Sequence, residues 1–392
     1  MQKHPPFFLK QLERFAYLIL LLSLFFGRAT VIILISVSFL FRRKNPKKDF
    51  LFFPFTHKDN TGTVSRFQVY LPMMEKDGYK YRIHYTCSHK FHDNIYFNAK
   101  SRTVEFFYLS LLFWRRLFVV LAAGNYKTVF FQRNLFSLYY DQKTPYLEKL
   151  ICKINPNVTV DFFDADYERN PEFYNAIARC CNKVSVVNDF LAQYFKKYNS
   201  NVLINDLGLN LTKYEIKNNY ELSAPIKIFW TGSIYNVIYL ETIIPVLEKI
   251  NESTPLELLM ICKVDGGFKS KIIRHLQWNE KTFFKLLAES DISLYPLPED
   301  TVFSRGKVAY KSLEYAAAAI PMVGSPFGLS PHFKDGEDIL IANTTEEWEQ
   351  KIRTLILNSS LRKNIGTSAR NKVEQFHSIS STYQKFLEIL KK

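Results

Sequence analysis

From residue 50 onward, short apolar runs alternate with stretches whose apolar positions recur at helical spacing. FLFFPF (50–55), YRIHYT (81–86), TVFFQ (128–132), VTVDFF (158–163), KVSVVN (183–188) and NVLIND (201–206) form a first series of predicted strands. The polar, proline-containing stretch KNNYELSAP (217–225) then reads as a linker. A second series follows: IKIFWTG (226–232), LELLMIC (256–262), DISLYP (291–296), IPMVGS (320–325) and ILIAN (339–343). Apolar runs this short, separated by helix-length segments, predict parallel sheets covered by helices on both faces. Two such series predict an α/β chain of two Rossmann-like domains facing a cleft, with ligands at the carboxyl ends of the strands. Thr344 and Glu347 have the spacing of a capping box, and SISSTYQKFLEILKK reads as a terminal helix expected to pack back toward the first domain. EFFYLSLLFWRRLFVVLAA (105–123) predicts an amphipathic helix of the first domain, placed either in its core or against an anionic membrane.

The most apolar stretch comes earlier. Residues 15–41, FAYLILLLSLFFGRATVIILISVSFLF, hold 18 Leu, Ile, Val or Phe among 27 positions. That run is long enough to cross a bilayer and too long for the apolar core of a signal peptide. Two arrangements fit: a single span, or a re-entrant hairpin broken at Gly27-Arg28. RRKNPKK follows directly, and this positive flank predicts a cytoplasmic body on an inner or plasma membrane. The expected organisation is a membrane anchor with its basic flank at 1–48, a first domain at 49–221 and a second at 222–392.

Charge sharpens this picture. The 392 residues carry a formal charge of +15. Nine basic residues against one acid precede Asp49, so the excess sits beside the apolar segment, which points to a membrane surface rather than nucleic acid. No nucleic-acid-binding motif and no G-x-G-x-x-G occurs. The five cysteines are odd in number and lack C-x-x-C spacing, which argues against a disulfide framework or a structural zinc site. Adjacent Cys180 and Cys181 read as core residues of a helix.

One segment places charges inside apolar sequence. In FSRGKVAYKSLEYAAAAIPMVGSPFG (303–328), a helix opening at Ser304 or Gly306 and running through the alanines would align Lys307, Lys311 and Glu314. At about 100° per residue they fall within one narrow strip. The strip is either a solvated helix face or the lining of a site.

The ordered set Trp278-Asn279-Glu280, DISLYPLPED (291–300), SRGKVAYKSLEYAAAAIPMVGSPFG and NSSLRKNIGTSARNKVEQFHS resembles the GT-B glycosyltransferases, specifically the large retaining group called glycosyltransferase family four. The likeness runs from about residue 50 to the end and is strongest in the second half. TVSRFQVYLPMMEKDGY is similar to the family's first helix after the opening strand, and FFQRN and VDFFDA to segments that border the cleft. The resemblance implies a hexosyltransferase-like enzyme that takes a nucleotide-sugar donor and a glycan or lipid-linked acceptor, without cofactor or metal, in surface polysaccharide or glycolipid synthesis. It implies a donor site in the C-terminal domain at Gly232, Ser233, Lys307, Lys311 and Glu314. Glu314 matches the family's ribose-holding glutamate, and Lys307 with Arg305 would stabilise the leaving diphosphate. Arg66, Arg133 and Asp164 are implied on the acceptor side.

Three departures from the family stand out. The first of its two glutamates falls on Gly306, the glycine common before Ile320-Pro321 is Ala319, and the loop TGSIYN lacks the usual arginine and lysine. A positive φ at Ala319 would cost on the order of 1 kcal/mol. Two other readings stay open: a catalytically inactive glycosyltransferase-like subunit, and a membrane-anchored nucleotide- or nucleic-acid-binding protein. Asp164-Ala165-Asp166 has the spacing of a metal-binding pair, with a helix cap as its plain alternative.

Overall fold

The computed structural model describes residues 7–96, 102–136, 143–297 and 299–391, so Lys3 of the basic flank and Pro298 of DISLYPLPED lie outside the described residues. The chain forms two compact units: one runs to Asn205 and includes Lys385–Lys392, the other is Asp206–Gln384.

The first unit is built on a parallel six-stranded sheet in the order β2-β1-β3-β4-β5-β6. Its strands are β1 (Lys48–Phe53), β2 (Tyr81–Ile83), β3 (Tyr126–Gln132), β4 (Val158–Phe162), β5 (Lys183–Val186) and β6 (Val202–Ile204). Its helices are α1 (Phe7–Ser36), α2 (Thr61–Arg66), α3 (Leu71–Lys76), α4 (His89–Tyr96), α5 (Arg102–Leu121), α6 (Tyr146–Ile154), α7 (Pro171–Cys180) and α8 (Asp189–Phe195). The central strands β1, β3, β4 and β5 are buried along almost their whole length, which is why they read as continuous apolar runs.

The second unit holds β7 (Ile226–Thr231), β8 (Leu256–Ile261), β9 (Ile273–Leu276), β10 (Ile292–Tyr295), β11 (Met322–Gly324) and β12 (Leu340–Ile341). They form a parallel sheet in the order β12-β11-β10-β7-β8-β9. Its helices are α9 (Ile244–Asn251), α10 (Glu280–Ala288), α11 (Val302–Arg305), α12 (Tyr310–Ala317), α13 (Thr345–Leu357) and α14 (Ser359–His377). α15 (Ile379–Leu390) closes the chain, and its residues from Lys385 belong with the first unit. There Phe386 stacks on Tyr70 at 4.5 Å, and Thr128 Oγ1 donates to the Leu390 carbonyl at 2.8 Å. The capping box forms as expected: Glu347 N donates to Thr344 Oγ1 at 3.2 Å, and Thr344 N to Glu347 Oε2 at 3.1 Å.

The stretch expected to be a linker is instead built into the second unit. Lys217 Nζ lies 3.3 Å from Asp291, the Tyr220 hydroxyl donates to Ala319 O at 2.8 Å, and Arg362 Nε donates to Tyr220 O at 2.9 Å. The division between units falls at Asn205–Asp206, before this stretch.

α1 passes unbroken through Gly27-Arg28, so the chain makes no hairpin there. Nor does the helix stand apart from the body. Ala16, Leu20, Leu24 and Val31 form one buried stripe. Gly27 presses against α5, where a β-carbon would overlap the Phe113 ring. Trp114 Nε1 donates to Ser23 Oγ at 2.9 Å, and Tyr17 meets Phe106 at 5.2 Å between ring centroids. α5 is itself fixed in the unit: buried Arg116 donates to His84 O and Thr86 Oγ1, each at 2.8 Å. By length and apolarity, both α1 and α5 are candidate membrane-crossing helices.

Candidate active site

The strand order of the second unit reverses between β7 and β10, and such a switch point opens a crevice at the carboxyl ends of the strands. Two loops leave from those ends. The one after β7 begins with Gly232 and Ser233, and the one after β10 leads to α11 and α12.

The segment after β10 departs from the expected continuous helix. α11 ends at Arg305, Ala309 is extended at φ −75 and ψ 111, and α12 starts at Tyr310. Lys307 therefore does not share a helix with Lys311 and Glu314. The cause is the glycine turn that follows β11. Gly328 has φ +67 and sits so close to Tyr295 that a β-carbon there would lie 2.7 Å from its hydroxyl oxygen. Its carbonyl accepts from Ala309 N at 2.7 Å. That bond holds Ala309 out of helix, so α12 begins beside the β7 loop. Arg305 likewise falls at the end of α11 rather than at a helix start.

Lys311, in the first turn of α12, points back to β7. Its Nζ stands 5.3 Å from the centre of the Trp230 ring. A β-carbon on Gly232 would lie 3.1 Å from that Nζ and would overlap Trp230, so glycine is needed for the close approach. Glu314 lies one turn further along α12. Its Oε1 accepts from the Tyr214 hydroxyl at 3.0 Å. Burial pushes the Glu314 carboxyl up to about 7, opposed by the Tyr214 hydrogen bond and by Lys311. Burial likewise lowers Lys311 to about 8, opposed by the Glu314 charge. The first turn of α12 has no acidic residue. A helix N-terminus, a desolvated lysine and a glycine loop thus converge on one spot, an arrangement that favours an anion.

The remaining donor-side residues stand differently. Lys307 Nζ lies 3.8 Å above the Phe303 ring. Arg305 forms a two-pronged exposed pair with Asp300, both bonds at 2.5 Å. Ser233 is exposed on the β7 loop. Trp230 and Tyr214 complete the site and were not singled out from the sequence. Trp230 looked like one more core residue of IKIFWTG, and Tyr214 sits in an unremarkable polar stretch a hundred residues from its partner.

In the first unit, order reverses between β1 and β3. Arg133 follows β3 at φ 59, a left-handed conformation unusual for a residue with a side chain and often found at functional sites. Its guanidinium pairs with Asp166, lies 3.6 Å from Asp164 and sits 4.3 Å over the Phe55 ring. The two aspartates thus face an arginine, and Asp166 opens the turn Asp166–Glu168, whose cap position is Ala165. Arg66 is corrected to a core residue. It is fully buried, donates to Asp161 Oδ2 at 2.9 Å and reaches the Asn205 carbonyl, so it offers nothing to a ligand.

Residues 247–388 match the family model described as glycosyl transferase-like. No curated protein matches the chain. Among solved structures, a glycosyltransferase from Rickettsia africae is similar at 16% identity and TM-score 0.62, over 88% of this chain and 98% of that one. Sucrose-phosphate synthase from Thermosynechococcus elongatus matches at 10% identity and TM-score 0.61, over 87% and 98%. Anabaena HepE, solved in complex with UDP-glucose, matches at 11% identity and TM-score 0.62, over 87% and 99%. Residues 247–388 thus match a glycosyl transferase-like domain, and the two six-stranded parallel sheets share the GT-B fold of these neighbours.

Proposed function

We propose that the chain transfers a hexosyl group from a nucleotide-sugar to a glycan or lipid-linked acceptor, with retention and without a metal ion, on the cytoplasmic face of a membrane. The observation that carries this reading is the convergence of Gly232, Lys311 and Glu314 at the switch point of the second unit. As the sugar C1–oxygen bond breaks, the diphosphate gains negative charge. Lys311 and the N-terminus of α12 stabilise that charge in place, and Lys307 adds a second cation from the adjoining loop. With two lysines at the diphosphate, this reading needs no divalent ion. The Glu314 carboxylate accepts from the two ribose hydroxyls, and Tyr214 orients it. Arg133, with Asp164 and Asp166, lines the acceptor side at the carboxyl edge of the first sheet.

A solved neighbour held UDP-glucose, which supports a nucleotide-sugar as donor class. Surface polysaccharide or glycolipid synthesis fits the apolar helices and the basic flank. Melting curves across nucleoside diphosphates test donor binding, because a ligand raises the melting temperature by mass action. Product analysis by NMR with chelator present then reads the anomeric configuration. An inverted product, or transfer abolished by chelator, overturns the corresponding part. Donor binding with neither transfer nor donor hydrolysis identifies an inactive subunit.

A further inference from the structure

Two cavities lie away from the residues above, at the amino ends of the strands of the first unit. One, of about 530 Å³, is lined by Arg43, Lys47, Lys48, Arg82, Asn125 and Tyr126 among others, with no acid in its wall. The other, of about 440 Å³, shares Arg43 and adds Lys44, Lys127 and Lys391. Its one acid, Asp49, is held by Lys127 at 2.8 Å. Among the described residues, Arg43, Lys44, Lys47, Lys48 and Arg82 have no carboxylate partner.

The loop that carries these cations is anchored. The turn at Ser38–Phe41 seats on Gly124, where a β-carbon would overlap the Phe41 carbonyl. Arg42 Nε donates to Lys153 O at 2.8 Å. Lys48 opens β1 opposite Tyr126 and stands 5.5 Å over its ring. Phe39 and Leu40, in the same turn, are 64% and 61% exposed. The apolar surface continues from there: α1 exposes Phe15, Leu18, Leu22, Phe25 and Ile33, and α5 exposes Leu111 and Phe118.

We propose that the basic cavity of Arg43, Lys47, Lys48 and Arg82 binds the phosphate headgroup of an anionic phospholipid, while the outward faces of α1 and α5 lie in the acyl layer of the same leaflet. Water is a poor solvent for that many exposed apolar side chains on two packed helices and the turn after them. Unpaired cations at its edge meet the headgroups where the apolar side chains meet the tails. A crossing helix would have to leave α5, exposing Phe113 and the α1 stripe. The chain therefore lies on one leaflet and does not span the bilayer. This deepens the membrane part of the reading above and needs no assumption about the reaction.

The test is flotation of the full chain with vesicles of phosphatidylcholine alone or mixed with phosphatidylglycerol, in the absence of donor and acceptor. Replacing Arg43, Lys47, Lys48 and Arg82 by Gln is expected to weaken binding to the mixed vesicles about fivefold per cation, from ~1 kcal/mol each, and to leave binding to phosphatidylcholine unchanged. Exchanging Phe39, Leu40 and Phe118 for Ser is expected to weaken binding to both. Unchanged binding of the Gln variant to phosphatidylglycerol overturns the headgroup site. Glycerol phosphate, the headgroup without its acyl chains, is expected to release the protein from mixed vesicles more than chloride at equal ionic strength does, and equal release by the two salts overturns the site. An epitope placed ahead of Met1 is expected to stay open to antibody when protein is added to closed vesicles, and its protection overturns the one-leaflet arrangement. Transfer to a soluble acceptor is a separate measurement, so loss of the glycosyltransferase reading and loss of this one are told apart.

Discussion

The Tyr214 hydroxyl donates to Oε1 of Glu314 at 3.0 Å, a bond that joins the entry segment of the second unit to α12. It stabilises the charged form of a carboxylate that burial disfavours. Hydrogen bonds to charged groups contribute about 1.5–3 kcal/mol, and ~1.4 kcal/mol corresponds to one pH unit. Tyr214→Phe should therefore move the acid limb of the kcat/KM profile upward by about one unit and lower donor affinity at neutral pH. A profile that coincides with wild type would show that Glu314 does not act as a carboxylate.

Lys311 and Glu314 set a narrow pH window. In the proposed donor site, binding requires Lys311 charged, below about 8, and Glu314 ionised, above about 7. The expected profile of kcat/KM is bell-shaped between these limits, which belong to the pair as macroscopic values. Lys311→Met should remove the alkaline limb and Glu314→Gln the acid one. Stability carries the opposite signature for the acid. The folded Glu314 keeps a proton that the unfolded chain releases from 4.5 upward, so wild type loses stability as pH rises from about 4.5 to 7. Glu314→Gln should lack that loss, and melting curves at pH 4.5 and 8 measure the difference.

The two other cations near the site should separate. Lys307 rests on Phe303, whereas Arg305 is engaged by Asp300 at the surface. Lys307→Ala should lower turnover about 10²–10³-fold, the usual effect of losing one group that stabilises a developing anion. Arg305→Ala removes an exposed ion pair, so its effect on stability should be small. Its turnover should exceed that of Lys307→Ala by at least tenfold. Equal losses in the two variants would restore Arg305 to the diphosphate.

The strands were legible where burial is complete. FLFF, TVFF and VTVDF are central strands with both faces covered, and apolar residues dominate them despite buried Thr128, Thr159 and Asp161. β9 was missed because it is an edge strand: Arg274 and His275 stand in its four residues, and it pairs on one side only. The charged strip of 303–328 was legible as a feature but not in its geometry. Counting at a helical angle assumes an unbroken helix, and the break at Ala309 comes from Gly328, nineteen residues on. Lys311 and Glu314 nonetheless came together with Gly232. Arg66 closes α2 and is placed on the acceptor side by resemblance alone; its buried partner Asp161 lies 95 residues away, beyond any local pattern.

Ala319 has φ 58, where the family resemblance favours glycine. Its carbonyl accepts from Tyr220 and packs on Gly366, so the backbone has no room to relax. A side chain in this conformation costs on the order of 1 kcal/mol. Ala319→Gly relieves that strain and loosens the unfolded chain, two effects of opposite sign. Strain is the larger because the left-handed angle is fixed from both sides. The variant should melt about 1–2 °C higher, because the unfolded-state effect offsets part of the ~1 kcal/mol that alone would shift a unit of this size by about 2–4 °C. A lower melting temperature would show that the turn at Ala316–Ile320 is unstrained.

Gly27 distinguishes a helix packed on the body from one that crosses a bilayer alone. In the packed arrangement its missing side chain makes room for the Phe113 ring. Gly27→Val then forces two well-packed helices apart, at a cost of about 1–3 kcal/mol. In a solitary span the same change places a larger apolar group in lipid and removes a flexible residue, and the body would not register it. The body should therefore unfold at lower denaturant in the variant, with Trp114 fluorescence reporting the change beside its bond to Ser23. The Phe113→Ala background supplies the control. Truncating the ring removes the clash, so the two substitutions together should be less destabilising than the sum of each alone. Additive effects, or a silent Gly27→Val, would mean that α1 leaves α5 and inserts by itself.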